Sequence, residues 1–123
     1  MVSAKVLFDT NILIDYLNGL SQARAELERH PDRAISIVTW MEVMAGTTEI
    51  DERQIRAFLR SFRILPITLD VAEHSFTLRR QRKIKLPDAI IQATARASGR
   101  ILLTRNARDF PPEEPGVSIP YVL

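Results

Sequence analysis

Three acidic residues stand where a carboxylate can do more than solvate a surface. Asp9 ends the apolar run Val6-Leu7-Phe8 and precedes a helical stretch through Leu17. Glu42 lies just past the apolar run Ala34 to Val38, in a helix predicted to open at Thr39. Asp88 follows Pro87, in the first turn of a segment with helical character to Ser98. In a parallel sheet, strand ends and helix starts share one edge, where α/β folds bind ligands. Carboxylates gathered there repel unless a cation joins them. Oxygen ligands without His or Cys select Mg2+ or Mn2+. Such ions activate water for phosphodiester cleavage.

Each acid also has a plainer reading. Thr39-Trp40-Met41-Glu42 matches a T-x-x-E capping box. Asp88 can complement a helix dipole. Asp9 can cap the first helix, a task Thr10 and Asn11 also suit. Capping alone does not require the three to meet at one edge.

The intervening chain alternates short apolar runs with helical stretches. Strands are predicted at Val6–Phe8, Ala34–Val38, Ile64–Ile67, Arg100–Thr104 and Val117–Pro120, with Pro66 arguing for an edge or a strand end. A helix headed by Ser21 ends near His30-Pro31; Asp51 and Asp70 are expected to cap later helices, the second with Glu73. Gly46 and Gly99 close helices, and Pro111-Pro112 and Pro115-Gly116 form turns. This order means βαβ units and a mostly parallel sheet.

At 123 residues the chain suits one domain, 1–123. It is 46% hydrophobic and 26% charged, as soluble globular proteins are. No apolar run nears the ~20 residues of a membrane span. The first residues lack the pattern of a signal peptide, and without cysteine there is no disulfide or thiolate site. A cytoplasmic protein is the expectation. The net charge is only +2, but Arg79, Arg80, Arg82, Lys83 and Lys85 crowd one stretch, and Arg100, Arg105 and Arg108 follow. Beside an acidic pocket such a face holds a polyanion. Otherwise it is a solvated helix face.

Four blocks in order resemble the PIN-domain nucleases. They are Val6 to Leu17, Ile35 to Val43, Leu86 to Ile91, and Leu102 to Phe110. Their order and spacing, over nearly the whole chain, match the VapC-type toxins of bacterial toxin–antitoxin pairs. The resemblance implies a three-layer α/β/α sandwich and a metal-dependent endoribonuclease. Asp9, Glu42 and Asp88 would be the core Mg2+ or Mn2+ ligands, with Thr10, Asn11 and Thr104 in support. Many relatives carry a further acid two residues after the threonine. Here that residue is Asn106, and the available acid is Asp109. Either Asp109 supplies the charge or Asn106 serves as a neutral ligand. RNA would be guided by Arg79, Arg82, Lys85, Arg105 and Arg108. A homodimer and a small antitoxin protein are the implied partners.

Two other functions fit parts of the pattern. A phosphohydrolase could use Asp9 as nucleophile, although such enzymes usually carry an acid where this chain has Asn11. A PIN-fold module that binds RNA or a partner without cleaving would suit the Asn106 substitution. Other residues are expected to be structural. His30 and His74, with no Cys, Asp or Glu at ligand spacing, are expected at the surface or helix ends. Met41, Met44 and Trp40 are expected in the core, Trp40 alternatively at a dimer interface. Asp15, nearly two turns past Asp9, reads as a surface acid, with support of the groups around Asp9 as the lesser alternative.

Overall fold

A computed structural model of the protein describes residues 5–111 and 113–123. Its elements run β1 (Val6–Phe8), α1 (Thr10–Leu17), α2 (Ser21–Arg29), β2 (Arg33–Ser36), α3 (Ile37–Ala45), α4 (Glu52–Leu59), β3 (Arg63–Leu65), α5 (Leu69–Gln81), α6 (Leu86–Ala97), β4 (Ile101–Leu103) and β5 (Val117–Ser118). The sheet order is β3-β2-β1-β4-β5, and every pairing is parallel. The expected turn at Pro111-Pro112 includes Pro112, which lies outside the described residues.

The strands are apolar on both faces because both are covered. Val6, Phe8, Ile35 and Leu103 point to one side, where they meet Ile12 and Leu13 of α1, Leu27 of α2, Val43 of α3 and Leu59 of α4. Leu7, Ala34 and Leu102 point to the other, against Ile91 and Ala95 of α6 and Phe110. Behind α6, its Ala89 and Ala93 pack on Val71 and Leu78 of α5 and on Ile84. The result is a three-layer α/β/α sandwich. Among the described residues no helix is long and apolar enough to cross a membrane.

Local chemistry shifts several predicted starts. α3 begins at Ile37 rather than Thr39, because the Ser36 hydroxyl accepts the Val38 N–H at 3.0 Å and caps the helix. No capping box forms at Thr39, so Glu42 lies in the second turn. Thr68, not Asp70, caps α5 by accepting the Val71 N–H at 3.2 Å. The Asp51 carboxylate turns back to the Thr48 amide at 2.7 Å and makes no bond to α4. Met41 is exposed, while Met44 and Trp40 pack at the core margin. β3 lies at a sheet edge, as Pro66 suggested. Gly99 closes α6 with φ +67°, a conformation that favours glycine.

Candidate functional site

Asp9 leaves β1 and serves as the N-cap of α1, with 4% of its surface exposed. Its Oδ1 accepts the Thr10 N–H at 2.7 Å. Its Oδ2 accepts from the Thr104 hydroxyl at 2.7 Å and from Asn11 Nδ2 at 3.3 Å. β1 and β4 are neighbours, so the residues following them meet at one point. Burial is the main influence on Asp9 and pushes its carboxyl up to about 6, against the lowering effect of the Thr104 and Thr10 bonds. The charges of Asp88 and Glu42 push the same way.

The other acids arrive from separate elements. Asp88 is half-buried in the first turn of α6. Its carboxyl is raised by burial, then by Asp109 and Glu42, against the pull of Lys85. Glu42 is exposed on α3, and its Oε1 accepts from the Thr10 hydroxyl at 2.6 Å. Thr10 also shares a 2.9 Å hydrogen bond with Thr39. Thr39 and Glu42, three residues apart on α3, share the face that meets Thr10.

The loop after β4 bears on the choice between Asn106 and Asp109. Asn106 donates from Nδ2 to the Asp109 carboxylate at 2.9 Å, and its Oδ1 accepts the Asp109 N–H at 3.2 Å. Its own N–H donates to Thr104 Oγ1 at 3.0 Å. The amide is thus spent on holding Asp109, whose charge is felt at Asp88. Arg82 braces the same loop by donating to the Asp109 carbonyl and, at 2.9 Å, to Gln92 Oε1.

Among the described residues no three Asp, Glu or His side chains already stand at the spacing of a closed metal site. Thr10 holds Glu42 and Asn106 holds Asp109. The donor set is nonetheless that of a hard cation, being all oxygen and mutually repelling. Burial first, and this repulsion after it, raises the carboxyls of Asp9 and Asp88.

The expected basic face divides. Arg79, Lys85 and Arg108 are exposed. Arg82 and Arg105 are structural instead, because buried acceptors claim their guanidinium groups. Arg105 donates to Asp15 at 2.6 and 2.9 Å. Arg100 likewise is tied to the Val6 carbonyl and to Asp32, each at 3.0 Å.

Asp15 is not a surface acid but is buried at 7% exposure, where it also accepts from the Tyr121 hydroxyl at 2.7 Å. Its spacing was the available signal: Asn11 and Asp15 lie one turn apart on the same helix face. Both hold Arg105, Asn11 through the Arg105 N–H at 3.2 Å. The histidines are at helix-associated positions, but each faces a carboxylate one turn back: His30 and Glu26 at 3.7 Å, His74 and Asp70 at 3.7 Å. In the sequence, the spacing of four residues between each acid and its histidine marks these pairs.

The family model for the PIN domain matches residues 6–111. The chain is 32% identical over 114 residues to the ribonuclease VapC10 of Mycobacterium tuberculosis, an alignment covering 86% of each protein. It is 31% identical over 113 residues to the ribonuclease VapC1 of Methanocaldococcus jannaschii, covering 87% of this chain and 79% of that one. A solved toxin–antitoxin complex from Klebsiella pneumoniae contains a chain that superposes with a TM-score of 0.92 at 48% identity, over 97% of this chain and 100% of that one. A DNA-bound VapBC from Salmonella typhimurium shares the fold, with a TM-score of 0.77 at 23% identity over 98% and 97% of the two chains. The four sequence blocks, the parallel sheet and these matches agree: the chain belongs to the PIN-domain family and is of the VapC type.

Proposed function

We propose that residues 1–123 act as one nuclease domain, a metal-dependent endoribonuclease that is the toxin of a toxin–antitoxin pair. What supports this reading is that Asp9, Glu42, Asp88 and Asp109, from four separate parts of the chain, lie near enough for Asp88 and Glu42 to raise the Asp9 carboxyl and for Asp109 and Glu42 to raise that of Asp88. Similarity to two ribonucleases and to a chain of a toxin–antitoxin complex supports it.

In this reading Asp9, Glu42, Asp88 and Asp109 hold Mg2+ or Mn2+. An ion held there would supply activation of water for phosphodiester hydrolysis. Thr104 and the Thr10 amide orient the Asp9 carboxylate, with Asn11 in support. The Thr10 hydroxyl keeps Glu42 turned inward. Asn106 acts through Asp109, as the side chain that holds it, rather than as a ligand. Arg79, Lys85 and Arg108 are the exposed cations that steer the RNA backbone. The protein works in the cytoplasm as a homodimer, and a small antitoxin protein restrains it.

The test is cleavage of structured RNAs by the purified chain, free of any partner, with Mg2+ or Mn2+. Cleavage is expected with metal and absent with EDTA or in Asp9→Asn. Activity that persists in either case removes the metal-nuclease reading. Tight RNA binding without cleavage would point to a binding module, and a covalent phospho-Asp9 to a phosphohydrolase.

A further inference from the structure

Because all the paired strands run one way, the sheet has a distinct starting edge and a distinct finishing edge. The acids sit at the finishing edge. The starting edge is cationic. Lys5 precedes β1, Arg33 opens β2, Arg63 opens β3 and Arg100 precedes β4. The pairing sets them side by side, with Val6 opposite Arg33 and Ile101, and Ala34 opposite Arg63. Arg60, just ahead of β3, adds another.

Two of these cations have structural duties. Arg33 donates to the Leu27 carbonyl in the last turn of α2 at 2.7 Å and to Ser61 Oγ at 3.3 Å. Arg100 is bonded to the Val6 carbonyl and to Asp32. The others are less committed. The Arg63 side chain is 70% exposed, with its Nε 3.4 Å from Asp32. Arg60 is exposed, and its side chain has neither ion pair nor hydrogen bond among the described residues.

A cleft of about 680 Å3 opens between Lys5, Asp32, Arg33, Arg60, Ser61 and Arg63. Four cations line it against one carboxylate. That carboxylate, Asp32, is already shared between Arg100 and Arg63. Arg33 is fixed in place over the Phe62 ring at 5.1 Å, and its buried Nε has no acceptor. Guanidinium groups are suited to phosphate oxygens. Phe62 is buried, so the cleft offers neither a stacking platform for a base nor an apolar anchor for a peptide.

We propose that this cleft binds the phosphodiester backbone of an RNA strand, a second contact on the edge opposite the acidic cluster. Recognition there is through phosphates and independent of sequence. The strands are only three or four residues long, so roughly 10–13 Å of sheet separates the two edges. An RNA held at both wraps across one side of the domain. The proposal rests on the ribonuclease reading for the identity of the polyanion.

The test is binding of a fluorescent single-stranded RNA of about 25 nucleotides in EDTA, where the proposed chemistry is off. The charge reversal Arg60→Glu with Arg63→Glu is compared with an equal reversal elsewhere, Arg24→Glu with Arg53→Glu. The cleft variant is expected to bind about tenfold more weakly, with its salt dependence reduced by about one to two phosphate contacts. The control is expected within about twofold of wild type. An unchanged cleft variant, equal losses in both variants, no binding by the wild-type chain, or displacement by polyglutamate as effective as by RNA would each overturn the proposal. Cleavage is not read here, so failure of the nuclease reading appears only in the metal assay.

Discussion

Arg105 grips both carboxylate oxygens of Asp15, with Nε 2.6 Å from Oδ2 and Nη2 2.9 Å from Oδ1. The pair ties α1 to the residue immediately after Thr104. The Tyr121 hydroxyl donates to the same carboxylate, so the C-terminal tail joins them. Burial pushes the Asp15 carboxyl up, but the bonds from Arg105 and Tyr121 and the Arg105 charge hold it below its ordinary 3.8. Replacing Asp15 with Ala strands a half-buried guanidinium, and an expected loss of about 2–4 kcal/mol follows. Tyr121→Phe should cost about 1 kcal/mol. Urea unfolding at neutral pH checks both. The stabilisation is present above pH 3.8 and is lost as pH falls through the lowered folded value. An Asp15→Ala variant as stable as wild type would contradict the arrangement.

Asp9 has the opposite sign. Its folded carboxyl lies at about 6 against an ordinary 3.8. Between those values the folded chain binds a proton that the unfolded chain does not. In EDTA, stability should therefore fall as pH rises from 4 to 6, by roughly 2–3 kcal/mol, and level off above. Asp9→Asn should flatten that slope and be the more stable protein at pH 7. Unfolding curves across this window measure it.

Divalent metal should reverse the cost of ionised Asp9. At neutral pH, Mn2+ at about a hundred times its dissociation constant should stabilise the wild-type chain by about 2.7 kcal/mol. Asp9→Asn should show little of that gain. Thermal unfolding with and without EDTA makes the comparison, and equal gains in both proteins would place the ion elsewhere.

Asn106 is expected to matter through Asp109. Asn106→Ala removes both side-chain bonds to Asp109 and should weaken Mn2+ binding about tenfold, in the range of an outer-shell partner. Asp109→Asn, which keeps shape and removes charge, should weaken it at least as much. Calorimetric titration of Mn2+ into each variant decides it. A strong loss in Asn106→Ala with none in Asp109→Asn would make the amide itself the ligand.

The arginines should separate by experiment as they do in the structure. Arg82→Ala is expected to lower stability, since it unties the Asp109 carbonyl, Gln92 and a 3.6 Å pairing with Glu114. Arg79→Ala and Arg108→Ala should leave stability within about 0.5 kcal/mol and reduce the salt dependence of RNA binding by about one contact each. Unfolding and anisotropy titrations on the same three variants test this.

Much of this architecture is legible in the residue order. Apolar runs such as Val6-Leu7-Phe8 and Ile101-Leu102-Leu103, separated by helical segments, dictate parallel strands covered on both faces. Parallel pairing in turn sends Asp9 and Thr104 to the same edge. Asp88, behind Pro87, follows from the chemistry of a helix start. Local boundaries were less legible. Ser36 and Thr39 both can cap, and only the packed Ser36 showed which one does. The fates of the charged side chains were beyond local reading. Asp15 and Arg105 are 90 residues apart, and nothing near either one says that they meet. Burial of Asp15 on α1 commits Arg105, expected at the RNA, to an ion pair within the fold. The same holds at the loop after β4, where Asn106 and Asp109 share their bonds once Arg82 of the α5–α6 connection pins the backbone. The sequence by itself determined the elements and the edge on which the acids gather, because those depend on periodicity and strand direction. Tertiary structure alone decided which charges are spent within the fold, because that depends on which groups are desolvated together.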